Sequence, residues 1–129
     1  MNTRAATTIS FVKCIAGFLC LFGLLVAAER EGNFNIRFEP TAKLQTRVQI
    51  PFEIHVSDAL KKALPDAKVT LQIETPTHEH SAVFTAPAVN PGVYLAKPIF
   101  PEAGEWNVYV EVRRDDEMSA RTIAFNVPE

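Results

Sequence analysis

Between Leu44 and Val56 the apolar side chains Leu44, Val48, Ile50, Phe52, Ile54 and Val56 occupy even positions, while Gln45, Arg47, Gln49, Glu53, His55 and Ser57 occupy odd ones. A period of two over such a length describes a strand with one face in a core and the other in water. The period returns at Val69, Leu71 and Ile73, at Trp106, Val108, Val110 and Val112, and at Ile123, Phe125 and Val127. Less regular strands are expected near Phe34 to Phe38, Ala82 to Ala86 and Val93 to Phe100. Turn signals lie between them, at Asp58 to Asp66 with Pro65, Pro87 to Gly92, Pro101 to Gly104 and Arg114 to Ser119. The expected strands are 33–38, 44–57, 67–74, 81–86, 92–100, 106–113 and 119–127, and about seven strands at this spacing predict an all-β antiparallel sandwich. Past Ala28 there is no convincing helical stripe and no internal repeat, so one domain over residues 29–129 is expected.

Residues 1–28 read differently. Arg4 and Lys13, with no acidic residue, precede the uncharged apolar run Cys14 to Ala28, which ends in Val26-Ala27-Ala28. These are the three parts of a secretory signal. At about 1.5 Å per residue the run reaches roughly 22 Å as a helix, short of the roughly 30 Å hydrocarbon layer. A helix beginning before Lys13 would instead span as a single-pass anchor, with Lys13 snorkelling. Signal peptide and anchor both remain open, and both place residues 29–129 outside the cytoplasm, in the periplasm or on the cell surface.

Both cysteines, Cys14 and Cys20, lie inside the apolar run. The domain after Ala28 has no thiol, so its core must hold without a disulfide, and cysteine nucleophiles, thiolate metal sites and thiol redox chemistry are excluded. Without residues 1–28 the chain keeps 11 basic and 15 acidic side chains, a net charge of −4. That balance argues against a nucleic-acid partner and against an anionic membrane surface.

Three histidines remain: His55, His78 and His80. If Thr75-Pro76-Thr77-His78-Glu79-His80 is extended, His78 and His80 face the same side about 6.6 Å apart, close enough to share a metal ion. Neutral imidazoles at that spacing suit Cu(II) or Zn(II), completed by further ligands or water. Strand direction brings the loop after the fifth strand to the same end of the sandwich, which makes Glu102 and Glu105 candidate co-ligands. His55, Asp115, Asp116 and Met118 are expected at the other end. The competing reading is a solvated surface loop.

No Gly-rich phosphate loop, Gly-x-Ser-x-Gly turn or HExxH helix occurs, and no carboxylate has the apolar flanks that would raise its pKa. A domain of this size with short loops leaves little room for a closed pocket. A non-enzymatic role without a small-molecule substrate is expected.

Glu102-Ala103-Gly104-Glu105-Trp106-Asn107-Val108 looks like the corner before the sixth strand of immunoglobulin-type sandwiches, with Trp106 where a tyrosine is usual and Val108 where the disulfide cysteine stands. The fold expected is thus an immunoglobulin-like sandwich behind an N-terminal hydrophobic helix. Together with Ile50-Pro51-Phe52-Glu53-Ile54-His55-Val56, the Ala67 to Ile73 strand, Thr75-Pro76 followed by His78 and His80, and Pro91-Gly92-Val93-Tyr94, this corner resembles the FixH-like and YtkA-like exported domains from about Val48 to Val127. The resemblance implies an extracytoplasmic accessory module, often behind one membrane helix, that handles copper or helps to assemble a membrane metalloprotein complex. Copper-resistance sandwiches are a more distant likeness. That family often reads Met-Pro-x-Met-x-His after the third strand. Here Thr75-Pro76-Thr77-His78 stands instead, so the thioether ligands of Cu(I) are missing and Cu(II) is favoured. An amino-terminal histidine brace is missing too, because Glu29 would be the first residue after cleavage. The alternative is a structural subunit or interaction module of a membrane complex with no metal role.

Overall fold

The computed structural model describes residues 30–129. The leader expected over residues 1–28, helix included, lies outside the described residues. Among the described residues every regular element is a strand: Arg30–Glu31 (β1), Asn35–Pro40 (β2), Phe52–Ser57 (β3), Lys68–Glu74 (β4), Ser81–Thr85 (β5), Ala88–Asn90 (β6), Val93–Ala96 (β7), Gly104–Arg114 (β8) and Glu117–Val127 (β9). They form two sheets, one ordered β1-β9-β8-β4-β5 and the other β2-β3-β7-β6. All pairings are antiparallel except the two-residue contact of β1 with β9.

The alternating residues meet between the layers. Ile36 and Phe38 of β2, Phe52, Ile54 and Val56 of β3, and Tyr94 and Ala96 of β7 face Val69, Leu71 and Ile73 of β4 and Trp106, Val108, Val110 and Val112 of β8. All of these are buried. Five rings run through the core in sequence: Phe38 to Phe125 at 6.4 Å, Phe125 to Phe52 at 5.4 Å, Phe52 to Phe100 at 6.3 Å and Phe100 to Trp106 at 5.6 Å. Their tilted and edge-on contacts suit the ring quadrupoles. Ser119 is the one buried polar residue among the described residues, and its hydroxyl donates to the Gly32 carbonyl at 2.8 Å while accepting from the Phe34 amide at 3.3 Å.

Two expected strands are shorter than their sequence patterns. The run 44–57 forms a strand only from Phe52, because Pro51 has no N–H to give a ladder and Arg47 takes a left-handed φ of 64°. Val48 is accordingly 41% exposed, where the alternation would bury it. Residues 47–50 instead lie along Pro98 to Phe100, with Arg47 N–H bonding the Phe100 carbonyl and Ile50 N–H that of Pro98. Pro98 in turn breaks the run 92–100, leaving β7 as Val93–Ala96. β1 and β6 were not expected, so nine strands replace about seven; β6 is three residues between Pro87 and Pro91.

Candidate functional site

The loop Thr75 to His80 joins β4 to β5, and it is a closed hairpin turn rather than the extended segment expected. Thr75 N–H donates to the His80 carbonyl at 3.0 Å, His78 N–H donates to the Thr75 carbonyl at 2.8 Å, and the Thr75 hydroxyl accepts from the His80 amide at 3.2 Å. A threonine that bonds the backbone ahead of it favours such a turn over continued strand. His78 sits inside it with a left-handed φ of 65°. The turn ends the strand geometry on which a shared His78–His80 metal site depended.

Each imidazole has its own carboxylate. His78 Nδ1 lies 2.7 Å from Glu74 Oε2, and His80 Nε2 lies 3.2 Å from Glu102 Oε2. The second contact crosses from the β4–β5 turn to the loop before β8, the juxtaposition that strand direction predicted. Glu102 is further fixed through its backbone, since its carbonyl accepts the indole Nε1–H of buried Trp106 at 3.0 Å. Glu105, the second residue of β8 and opposite Asn126, is exposed and is not brought to either histidine by any ion pair described. Glu74 is the residue missed by sequence reasoning; its signal was the Thr75-Pro76 turn directly after it, which folds His78 back over the end of β4. Among the described residues no group of three or more His, Cys, Asp or Glu is placed to hold a metal ion.

The other end of the molecule holds the remaining groups, as expected. Lys68 pairs with Arg113 and Glu74 with Asn107, so the β8–β9 turn with Asp115 and Asp116 lies at the far end of the sheet from the histidine tip. His55 stands opposite Arg37 across β2 and β3, with its Nε2 3.0 Å from Glu53 Oε1. It lines an open groove of about 490 Å³ with Arg37, Lys61 and Gly92. One side of that groove is pinned by Asp58, whose carboxylate accepts the Leu60 and Lys62 amides at 2.9 Å. The Lys62 amide foremost, and the Leu60 amide with it, outweigh desolvation and hold the Asp58 carboxyl below its ordinary range. On the outward face of β8, burial and then the adjacent Glu111 carboxylate push the Tyr109 phenol up to about 12.

The family model for YtkA-like proteins matches residues 27–111, from before β1 to within β8. The chain belongs to the YtkA-like family. No curated protein matches it. The matched span contains the histidine hairpin, Glu102 and Trp106, so both sides of the His80–Glu102 contact fall inside the family domain. Membership suggests an accessory domain; neither a metal nor a partner follows from it.

Proposed function

We propose that this YtkA-like chain is a non-enzymatic, extracytoplasmic accessory domain of a membrane metalloprotein complex. The family match over residues 27–111, which takes in every strand but β9 and the end of β8, carries the reading. Supporting it, the strand order β2-β3-β7 opposed to β9-β8-β4, with buried Trp106 third in β8, is what an immunoglobulin-like sandwich would have. The Arg4–Lys13 leader and the apolar run to Ala28 support export, with the domain either released or held by one N-terminal helix. Intact mass of the protein in the exported fraction tests this: loss of residues 1–28 means release, a full-length product in the membrane fraction means an anchor, and a full-length product in the cytoplasm overturns the reading.

The metal part of the proposal rests on the His80–Glu102 contact, which offers one nitrogen and one oxygen ligand from two loops at one tip. Such a mixed pair suits Cu(II) or Zn(II), with water completing the shell. A structural or interaction role without metal is favoured by a different observation, that His78 and His80 are already matched with Glu74 and Glu102. Isothermal titration of the fragment beginning at Glu29 with Cu(II) and Zn(II) separates the two. Among the described residues the buried core side chains all lie between Ile36 and Val127, and the fragment keeps every one of them. Heat lost in the His78→Ala, His80→Ala double variant supports the metal role, and equal heat in both proteins removes it.

A further inference from the structure

Strand β5 ends the five-stranded sheet, and its outer edge faces no other strand among the described residues. Which of its backbone groups are spent on β4 follows from the bonds at its two ends. Thr75 N–H bonds the His80 carbonyl and Ala86 N–H bonds the Val69 carbonyl. In an antiparallel ladder bonded and non-bonded pairs alternate. The register then makes Leu71–Phe84 and Ile73–Ala82 the bonded pairs, and Thr70–Thr85, Gln72–Val83 and Glu74–Ser81 the non-bonded ones. The N–H and C=O groups of Ser81, Val83 and Thr85 therefore point away from β4, along the open edge.

Nothing in this strand discourages pairing. Ser81 to Ala86 has no charge and no proline, and Val83 is 62% exposed. Soluble sandwiches ordinarily protect such an edge with lysine, proline, a bulge or a cover. The other edges here have those devices. β6 is three residues between two prolines with an irregular register. β2 carries Arg37, Glu39 and Pro40, and the Arg121 guanidinium occupies its Ile36 carbonyl at 2.8 Å. β9 pairs with β1 only at Glu117 and Met118, and along the rest of that edge the charged Arg121 reaches across to β2.

We propose that β5 is a self-association edge, on which a second copy of this chain adds its own β5 antiparallel about a two-fold axis through Val83. The register is self-complementary. Val83 meets Val83 of the second copy as a bonded pair, and Ser81 meets Thr85 in both directions, so all six outward N–H and C=O groups on each copy are used. The side chains that come opposite one another are neutral, and Glu79 falls opposite Pro87, so no like charges meet. The pairing joins two five-stranded sheets into one and leaves neither β5 edge open. An isologous contact of this kind closes on itself and does not propagate. It rests on the backbone register alone and is independent of the metal reading.

The contact is small, so the dimer is expected to be weak and concentration-dependent, across about 1 μM to 500 μM. Sedimentation velocity of the fragment beginning at Glu29 should show an up to twofold rise in weight-average mass over that range. Amide exchange should protect Ala82, Phe84 and Ala86 at every concentration, and Ser81, Val83 and Thr85 only as the mass rises. Val83→Lys and Val83→Glu, on an exposed side chain that leaves the core alone, should each abolish the rise by setting like charges across the axis. Mixing the two variants should restore it. A wild type that stays monomeric with Ser81, Val83 and Thr85 unprotected overturns the proposal, as does a dimer that persists in both single variants.

Discussion

Tyr94 ties the long loop between β3 and β4 to the second sheet, and removing only its hydroxyl measures how much that tie contributes. The ring is 1% exposed, its Oη–H donates to the Leu64 carbonyl at 2.5 Å, and its oxygen accepts the Ala67 amide at 3.0 Å. Tyr94→Phe keeps the ring, so the cavity term is small. Two hydrogen bonds worth about 0.5–1.5 kcal/mol each are lost, and the carbonyl of buried Leu64 is left without a partner, which costs about 1–3 kcal/mol. The Ala67 amide is only partly buried and can turn to water, so the sum falls near 2–3 kcal/mol. For a domain of about 100 residues that corresponds to a fall in Tm of roughly 8–20 °C. Urea unfolding followed by the fluorescence of Trp106, the only tryptophan, reads the loss directly. The midpoint should fall with the slope unchanged. A loss below about 0.5 kcal/mol would refute the argument, because it would mean the loop is held by Leu64 packing and not by the phenol.

Other substitutions test other links. Gly92 has φ 76°, and a Cβ there would come 2.7 Å from the Ala63 Cβ; Gly92→Ala should cost about 2–3 kcal/mol, and adding Ala63→Gly should recover the steric part of it. Trp106→Phe removes the bond to the Glu102 carbonyl along with part of a buried ring; a loss of about 2–3 kcal/mol is expected, with faster amide exchange over residues 102–105, and unchanged exchange there would separate Trp106 from the positioning of Glu102. The Tyr109 phenol is raised from its ordinary 10 to about 12, so the folded state holds that proton more tightly than the unfolded chain does. The stability this gives is fully present below pH 10 and is lost as pH rises through 12. Over that interval, with the half-exposed ring screened by solvent, it amounts to about 1 kcal/mol. Tyr109→Phe should therefore lose less stability than the wild type between pH 9 and pH 11.5 in urea midpoints, and equal losses would contradict the assignment.

The strands that could be read from the sequence are those whose alternation has one cause. Val69, Leu71 and Ile73, and Val108, Val110 and Val112, alternate because each strand is flanked on both sides and half-buried, so periodicity and burial coincide. In 44–50 the same alternation arises without a ladder. Ile50 is buried beside Pro98, while Val48 points outward past the left-handed Arg47, and only Pro51 hinted at the break. β6 could not be seen because three residues between two prolines carry no period. At the site, chain direction sufficed for His80 and Glu102, because it depends on strand order and not on local detail. It failed for His78, whose partner is set by a turn that the Thr75 hydroxyl closes, and for Glu105, which shares the tip in sequence but faces Asn126.

One hairpin carries both candidate surfaces, and its geometry keeps them apart. The β4–β5 turn presents His78 and His80, while the strand that follows presents the open edge at Ser81, Val83 and Thr85. In the paired arrangement His80 falls opposite Ala86 of the second copy, so the histidine tips sit on opposite ends of the new contact and cannot share an ion across it. Metal binding at the tip and association at the edge should then be independent. The His78→Ala, His80→Ala variant should dimerise like the wild type, because the Thr75–His80 backbone bonds that close the turn do not use either imidazole. Val83→Lys should in turn leave any Cu(II) heat unchanged. A metal-dependent shift in the dimerisation constant would show that the turn and the strand move together, and would replace two local sites with one coupled element.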